Sequence, residues 1–155
     1  MKKITSQNGF TLIELIIVMV ILGIMAAVAV PRYLDSIENA EESAERAVIS
    51  SIRAGLKQAA NDSLYSNGRA SWPTNPFDVL AEKPAKYSAT DNGTETQMED
   101  LDGIADSDGE WTFDRENSRI THQRADNSRY YWVYDKGTQI GDNADIGSLG
   151  ERETF

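Results

Sequence analysis

The chain divides into blocks by the spacing of its apolar residues. Residues 10–30 are almost unbroken apolar surface, close to the roughly 20 residues a helix needs to cross a hydrocarbon core of about 30 Å. From residue 31 the pattern changes to spacings of three and four: Leu34, Ile37, Ala40, Ala44, Ala47, Val48, Ile52, Leu56 and Ala59. Asp35, Glu38, Glu41, Glu42, Glu45, Arg46 and Arg53 fall on the opposite face. That alternation predicts an amphipathic helix over 31–64. It continues the first block, giving one long helix from Phe10 to about Ala60, kinked at Pro31. The face is richer in large apolar side chains over 48–64, where a head should dock. The acid-rich stretch 32–46 suits polar contacts with neighbouring chains.

Beyond the helix, 61–76 reads as a loop, with Asn67-Gly68 and Trp72-Pro73-Thr74-Asn75-Pro76 supplying turn chemistry. A short helical turn is expected over 77–80, capped by Asn75, with Trp72 and Phe77 as core anchors. Residues 85–109 are polar and broken by Asn92-Gly93, Asp102-Gly103 and Asp108-Gly109, the pattern of a long surface loop. Three runs rich in aromatic and β-branched residues follow, at 110–114, 119–123 and 129–134, separated by Asn, Ser and Asp. They predict an antiparallel meander. Trp111 and Phe113 share one face, as do Tyr130, Trp132 and Tyr134, so one face should bury against the helix while the other stays wet. The fold class is α+β, a long helix with a small antiparallel sheet packed on its second half.

Glu14 is the one charge in the apolar block. A charge inside a membrane helix costs roughly 2.5 to 3.5 kcal/mol on insertion scales and survives chiefly with a partner. Cleavage between Gly9 and Phe10 would create one, because the new α-amino group, with a reference pKa of about 7.7 to 8.0, is largely protonated near neutrality. An ordinary secretory signal, with Lys2 and Lys3 as its basic end and Ala27-Val28-Ala29 as its cleavage site, fits less well. Its apolar run should be only about 7 to 15 residues long, and here polar residues 5–9 separate that run from the lysines.

The stretch Gly9-Phe10-Thr11-Leu12-Ile13-Glu14 resembles the start of the type IV pilins and type II secretion pseudopilins. The resemblance implies cleavage after Gly9 by a prepilin peptidase, methylation of the new N-terminal Phe10, and pairing of Glu14 with a neighbour's N-terminus during assembly. Gly23 and Pro31 also match, which implies that the helix between them can loosen as subunits pack. It implies as partners identical or homologous subunits and an inner-membrane assembly platform. The expected organisation is a leader over 1–9, a transmembrane and assembly helix over 10–30, its amphipathic continuation over 31–64, and a head over 65–155.

Composition narrows this picture. The 155 residues carry a formal charge of −10, and loss of Lys2 and Lys3 with the leader leaves 13 basic residues against 25 acids, or −12. An acidic exterior argues against nucleic-acid backbone binding. Basic residues before the apolar run and acids after it place the leader in the cytoplasm and the head outside, in a periplasmic or extracellular filament once assembled. There is no cysteine, so no disulfide or Cys-ligated metal site can form. Many pilins of Gram-negative bacteria close a C-terminal loop with a disulfide and major pseudopilins generally do not, which tilts the resemblance towards a pseudopilin-like subunit or an atypical pilin.

Enzymatic readings fare badly, because the single histidine, His122, should lie exposed on a wet strand face, and nothing resembles a phosphate-cradling loop. Calcium is the one cofactor to consider. Asp142 and Asp145 lie in Ala144-Asp145-Ile146 and its surroundings, a segment similar to the calcium-binding tail of major pseudopilins, although Leu149 stands where an aromatic is expected. Asp100, Asp102, Asp106 and Asp108 form an alternative set in two Asp-x-Asp-Gly units. There the EF-hand spacing fails at Ile104, and a solvated acidic turn is the better reading. Asn61-Asp62-Ser63 and Asn92-Gly93-Thr94 fit the N-glycosylation pattern, which three residues meet readily by chance. The reading from another functional class is a membrane-anchored, extracytoplasmic binding protein that never polymerises.

Overall fold

The computed structural model describes residues 9–88, 103–137 and 147–155. One helix, α1 (Leu12–Asn67), runs through two compact units. In the first unit, residues 9–40 are exposed throughout. Helical side chains there satisfy themselves locally: the Ser36 and Ser43 hydroxyls and the Asn39 amide donate to the carbonyls of Arg32, Asn39 and Asp35, each one turn back. Helical structure continues through Pro31, although proline takes away the N–H that would bond to residue 27.

The second unit, Ala44–Phe155, holds the core. Here α1 buries Glu45, Ile49, Ile52, Leu56 and Ala60, a stripe at helical spacing. The helix runs on to Asn67, past the expected end near Ala60, because nothing in 61–66 breaks it and the Gln58 amide bonds Asp62 one turn on at 2.8 Å. It stops at Gly68, whose positive φ of 70° lets its N–H reach the Leu64 carbonyl at 2.9 Å. The potential glycosylation site Asn61 is therefore helical.

A 3₁₀ turn (Pro76–Val79) follows, with the Asn75 side chain accepting from the Phe77 N–H at 2.9 Å, as its sequence predicts. Gly55 lets this turn approach α1, since a Cβ there would lie 2.6 Å from a Val79 methyl.

Among the described residues the sheet has five strands: β1 (Trp111–Asp114), β2 (Arg119–Gln123), β3 (Arg129–Asp135), β4 (Ser148–Leu149) and β5 (Glu153–Thr154). The first three form the expected antiparallel meander, with Trp111 opposite His122 and Ile120 opposite Trp132. Their inward side chains and α1 enclose Ile49, Ile52, Leu56, Phe77, Trp111, Phe113, Ile120, Trp132 and Tyr134. Full burial of side chains such as Ile52, Leu56 and Phe77 stabilises the fold by roughly 1.5 to 3 kcal/mol each. Trp111 stacks on Trp132 at 5.6 Å, Trp72 stacks on Tyr134, and the Tyr134 hydroxyl donates to the Pro73 carbonyl, so Trp72 and Phe77 do anchor the core.

Several expectations are corrected. The second face of β1 and β2 is not wet: Thr112, Asp114, Thr121 and Gln123 are buried. Residues 103–105 lie across it, with the Ala105 N–H on the Thr121 hydroxyl and the Thr112 hydroxyl on the Gly103 carbonyl. Gly103, at φ 62°, fits because a Cβ would come within 2.9 Å of the Asp114 Cα. The expected loop over 85–109 thus packs in part, and Tyr87 also bridges to Trp111. Two further strands, β4 and β5, pair with the free side of β3. Gly147 leads into them so close to β3 that a Cβ would sit 1.9 Å from the Asp135 carbonyl oxygen, a place only glycine can occupy.

Candidate assembly site and a buried charge cluster

At the start of α1 the Glu14 carboxylate turns back on its own helix. Its Oε2 accepts from the Thr11 N–H and the Thr11 hydroxyl, both at 2.8 Å, while the Thr11 Oγ1 faces the Glu14 N–H at 3.3 Å. Thr11 is the N-cap and Glu14 the third helical residue, so the pair forms a capping box. The pattern was readable in Thr11-Leu12-Ile13-Glu14, and the sequence reading passed over it. Among the described residues, Oε1 of Glu14 receives no hydrogen bond. One oxygen of the only charge in the apolar block is therefore engaged by the chain itself and the other is open.

Gly9 and Phe10 precede the helix and are exposed, so the bond between them is accessible. Gly23 and Pro31 both lie inside α1. A Cβ at Gly23 would meet nothing within 4 Å, so packing within this chain does not require a glycine there. The helix contains a segment long and apolar enough to cross a membrane.

The sequence reading also missed a charge cluster in the head. Glu45 had been assigned to the solvated acid face, yet it is 1% exposed. It continues the stripe of Ile49, Ile52 and Leu56 one turn earlier, which is why it points inward. The Arg124 guanidinium, 2% exposed, grips both its oxygens, Nε to Oε1 at 2.6 Å and Nη2 to Oε2 at 2.8 Å. Arg152 adds a bond to Oε2 at 3.1 Å. Such fork-to-fork pairing is the geometry in which arginine binds a carboxylate best. Tyr130 presents its ring to both guanidiniums, at 4.4 and 4.8 Å.

His122 completes the cluster and corrects a second expectation, since it is buried against Trp111 with ring centroids 4.1 Å apart. Its Nδ1 lies 2.8 Å from the Glu110 carbonyl, which can only accept, so Nδ1 carries a proton. Nε2 lies 3.6 Å from Glu45 Oε1. Glu45, Arg124 and His122 come from α1 and the end of β2, and their pairing is long-range, so no local pattern announces it.

The aspartates considered for calcium divide. Asp100, Asp102, Asp142 and Asp145 lie outside the described residues. Asp106 and Asp108 sit in an exposed turn, where the Glu110 carboxylate accepts from the N–H groups of Asp106 and Ser107, and the Lys86 ammonium donates to the Asp108 carbonyl. Among the described residues no group of three or more His, Asp or Glu side chains is arranged to hold a metal ion.

Comparison with known proteins adds to this geometry. The family described as the prokaryotic N-terminal methylation motif matches residues 4–30. The chain is 36% identical over 109 residues to a type IV major pilin protein PilE1 of Neisseria gonorrhoeae, covering 64% of this chain and 57% of that one. It is 44% identical over 71 residues to a fimbrial protein of Neisseria meningitidis, covering 46% of this chain and 38% of the other. A type II secretion system core protein G of Vibrio cholerae is 36% identical over 86 residues, covering 54% of this chain and 55% of the other. The chain spans about half the length of the relatives it matches. No solved structure matches. The chain is thus similar, over part of its length, to type IV pilins and to a type II secretion pseudopilin, through the methylation motif and these relatives.

Proposed function

We propose that the protein is the structural subunit of a type IV pilus-like filament, either a surface pilus or a type II secretion pseudopilus. The observation that carries this reading is the methylation motif running into a helix whose residues 12–40 are all exposed. Leu12, Ile13, Leu15, Met19, Leu22 and Ile24 are each more than half exposed, far beyond what a soluble monomer tolerates as a patch. Lipid covers such a surface before assembly and the equivalent helices of other subunits cover it afterwards.

In this account a prepilin peptidase cuts between Gly9 and Phe10, and the leader with Lys2 and Lys3 stays in the cytoplasm. The subunit leaves the inner membrane through an assembly platform. The open Oε1 of Glu14 takes the Phe10 amine of a neighbour, neutralising a charge that is costly in hydrocarbon. Gly23, which disfavours helix by about 1 kcal/mol relative to alanine, and Pro31, which removes a hydrogen bond, allow the helix between them to loosen as subunits pack. No part of this chemistry asks the head for catalysis.

Chemical cross-linking of cells that express the protein with its processing machinery should capture the processed form as a ladder of multimers, in sheared material for a surface pilus and in the envelope for a pseudopilus. Processed protein captured only as a monomer would instead favour a tethered binding protein. Calcium held by Asp142 and Asp145 belongs to this proposal through the resemblance of Ala144-Asp145-Ile146 to a pseudopilin tail. A chelator should then lower the melting temperature of the head, and an unchanged temperature would remove the ion from the account.

A further inference from the structure

Among the described residues, the second edge of the seven-residue β3 is covered only by the short arm 147–155. An uncovered edge of that length presents a row of free N–H and C=O groups, a template for pairing with another chain. The arm covers it in two brief contacts, Ser148 and Leu149 opposite Asp135 and Tyr134, then Glu153 and Thr154 opposite Tyr131 and Tyr130. The Gly150 N–H reaches the Val133 carbonyl at 2.9 Å between them. Pairs of two-residue strands are weak by themselves, and without cysteine no disulfide can hold the arm.

Side-chain contacts between the arm and the rest of the head hold it instead. Arg53 of α1 donates to the Gly150 carbonyl at 2.8 Å and pairs with Glu151 at 3.0 Å. Arg152 reaches back to buried Glu45. The Tyr131 hydroxyl donates to Glu153 at 2.7 Å, and the Phe155 ring lies 4.6 Å from the Arg119 guanidinium. Glu45 is the shared point, because the same carboxylate ties α1 to Arg124 after β2 and to Arg152 in the arm. The Arg152 side chain is 34% exposed where its partner is 1% exposed, so the arm can let go without opening the core.

We infer that the arm is a strap, latched by Arg152 onto Glu45, that closes the β3 edge against strand addition by a second copy of this chain. The inference concerns the head alone and does not rest on the filament reading. It is a local opening of low free energy beside a stable core, and its partner when open is chemically defined, the equivalent edge of another head.

The test is amide hydrogen exchange, followed by mass spectrometry, on the full chain in detergent micelles, wild type against Arg152→Ala. The strap predicts exchange at least tenfold faster in 147–155 and 129–135, with 49–60 and 111–114 unchanged. Raising the variant's concentration should restore protection to 129–135, as a second copy takes the edge. Unchanged exchange in 147–155 would show that the arm needs no latch. Uniform acceleration would make Arg152 a support of the whole head, and protection that ignores concentration would remove the guard role; each of these overturns the inference.

Discussion

Replacing Glu45 with alanine should destabilise the head by about 3 to 5 kcal/mol, the range for removing one partner of a buried ion pair. The size follows from what remains. Arg124 is 2% exposed and has spent its fork on both oxygens of Glu45, so the variant leaves a guanidinium with its principal counter-charge gone. Arg152, part-exposed, can turn to water. Since a domain's whole stability is roughly 5 to 15 kcal/mol, this one carboxylate would decide whether the head is folded at growth temperature. Urea unfolding should show a lower midpoint with an unchanged slope. Glu45→Gln, which keeps the shape and part of the hydrogen bonding, should fall between the two. A midpoint moved by less than the equivalent of about 1 kcal/mol would place the pair among exposed salt bridges.

Glu14→Ala should abolish filaments while leaving cleavage after Gly9 intact. Two structural facts make that outcome interpretable. The substitution removes the capping box with Thr11, worth about 1 kcal/mol, at one end of a 56-residue helix, so folding is barely affected. It also removes a membrane charge that costs roughly 2.5 to 3.5 kcal/mol, so insertion becomes easier. A loss of filaments with normal processed protein then points to the missing contact with a neighbour's amine. Thr11→Ala is the matched control, because it removes the cap and leaves the carboxylate; its filaments should persist. Normal filaments from Glu14→Ala would rule out the pairing role.

Much of the architecture was legible because it is periodic. The spacing of Ile52 and Leu56, the alternation of Trp111 with Phe113 and of Trp132 with Tyr134, and the cap at Asn75 led to the helix, the three longer strands and the 3₁₀ turn. What escaped was not periodic. Two-residue strands such as Ser148–Leu149 carry no alternation to read. Glu45 looked like one more acid after Glu38, Glu41 and Glu42, although its place one turn before Ile49 put it on the buried stripe. Its partner lies 79 residues away. His122 was assigned to the wrong face because the sheet was expected to have a wet side, which residues 103–105 cover in part at Thr112 and Thr121.

At the N-terminus the sequence spoke more plainly than the fold. Gly9, Phe10 and Glu14 fall within six residues of one another, and the roles proposed for them involve other proteins, so a single chain shows only an exposed bond and a carboxylate with one open oxygen. The capping box sharpens the picture. In the free subunit Thr11 already holds Oε2, which orients the carboxylate at the helix start, beside the point where cleavage would leave the amine.

The most direct test of the account is the intact mass and N-terminal residue of the protein recovered from the cell envelope. The account predicts a chain that starts at Phe10 and carries one added methyl group. A chain that still starts at Met1, or one that starts at Val30 after loss of the whole apolar block, would contradict it.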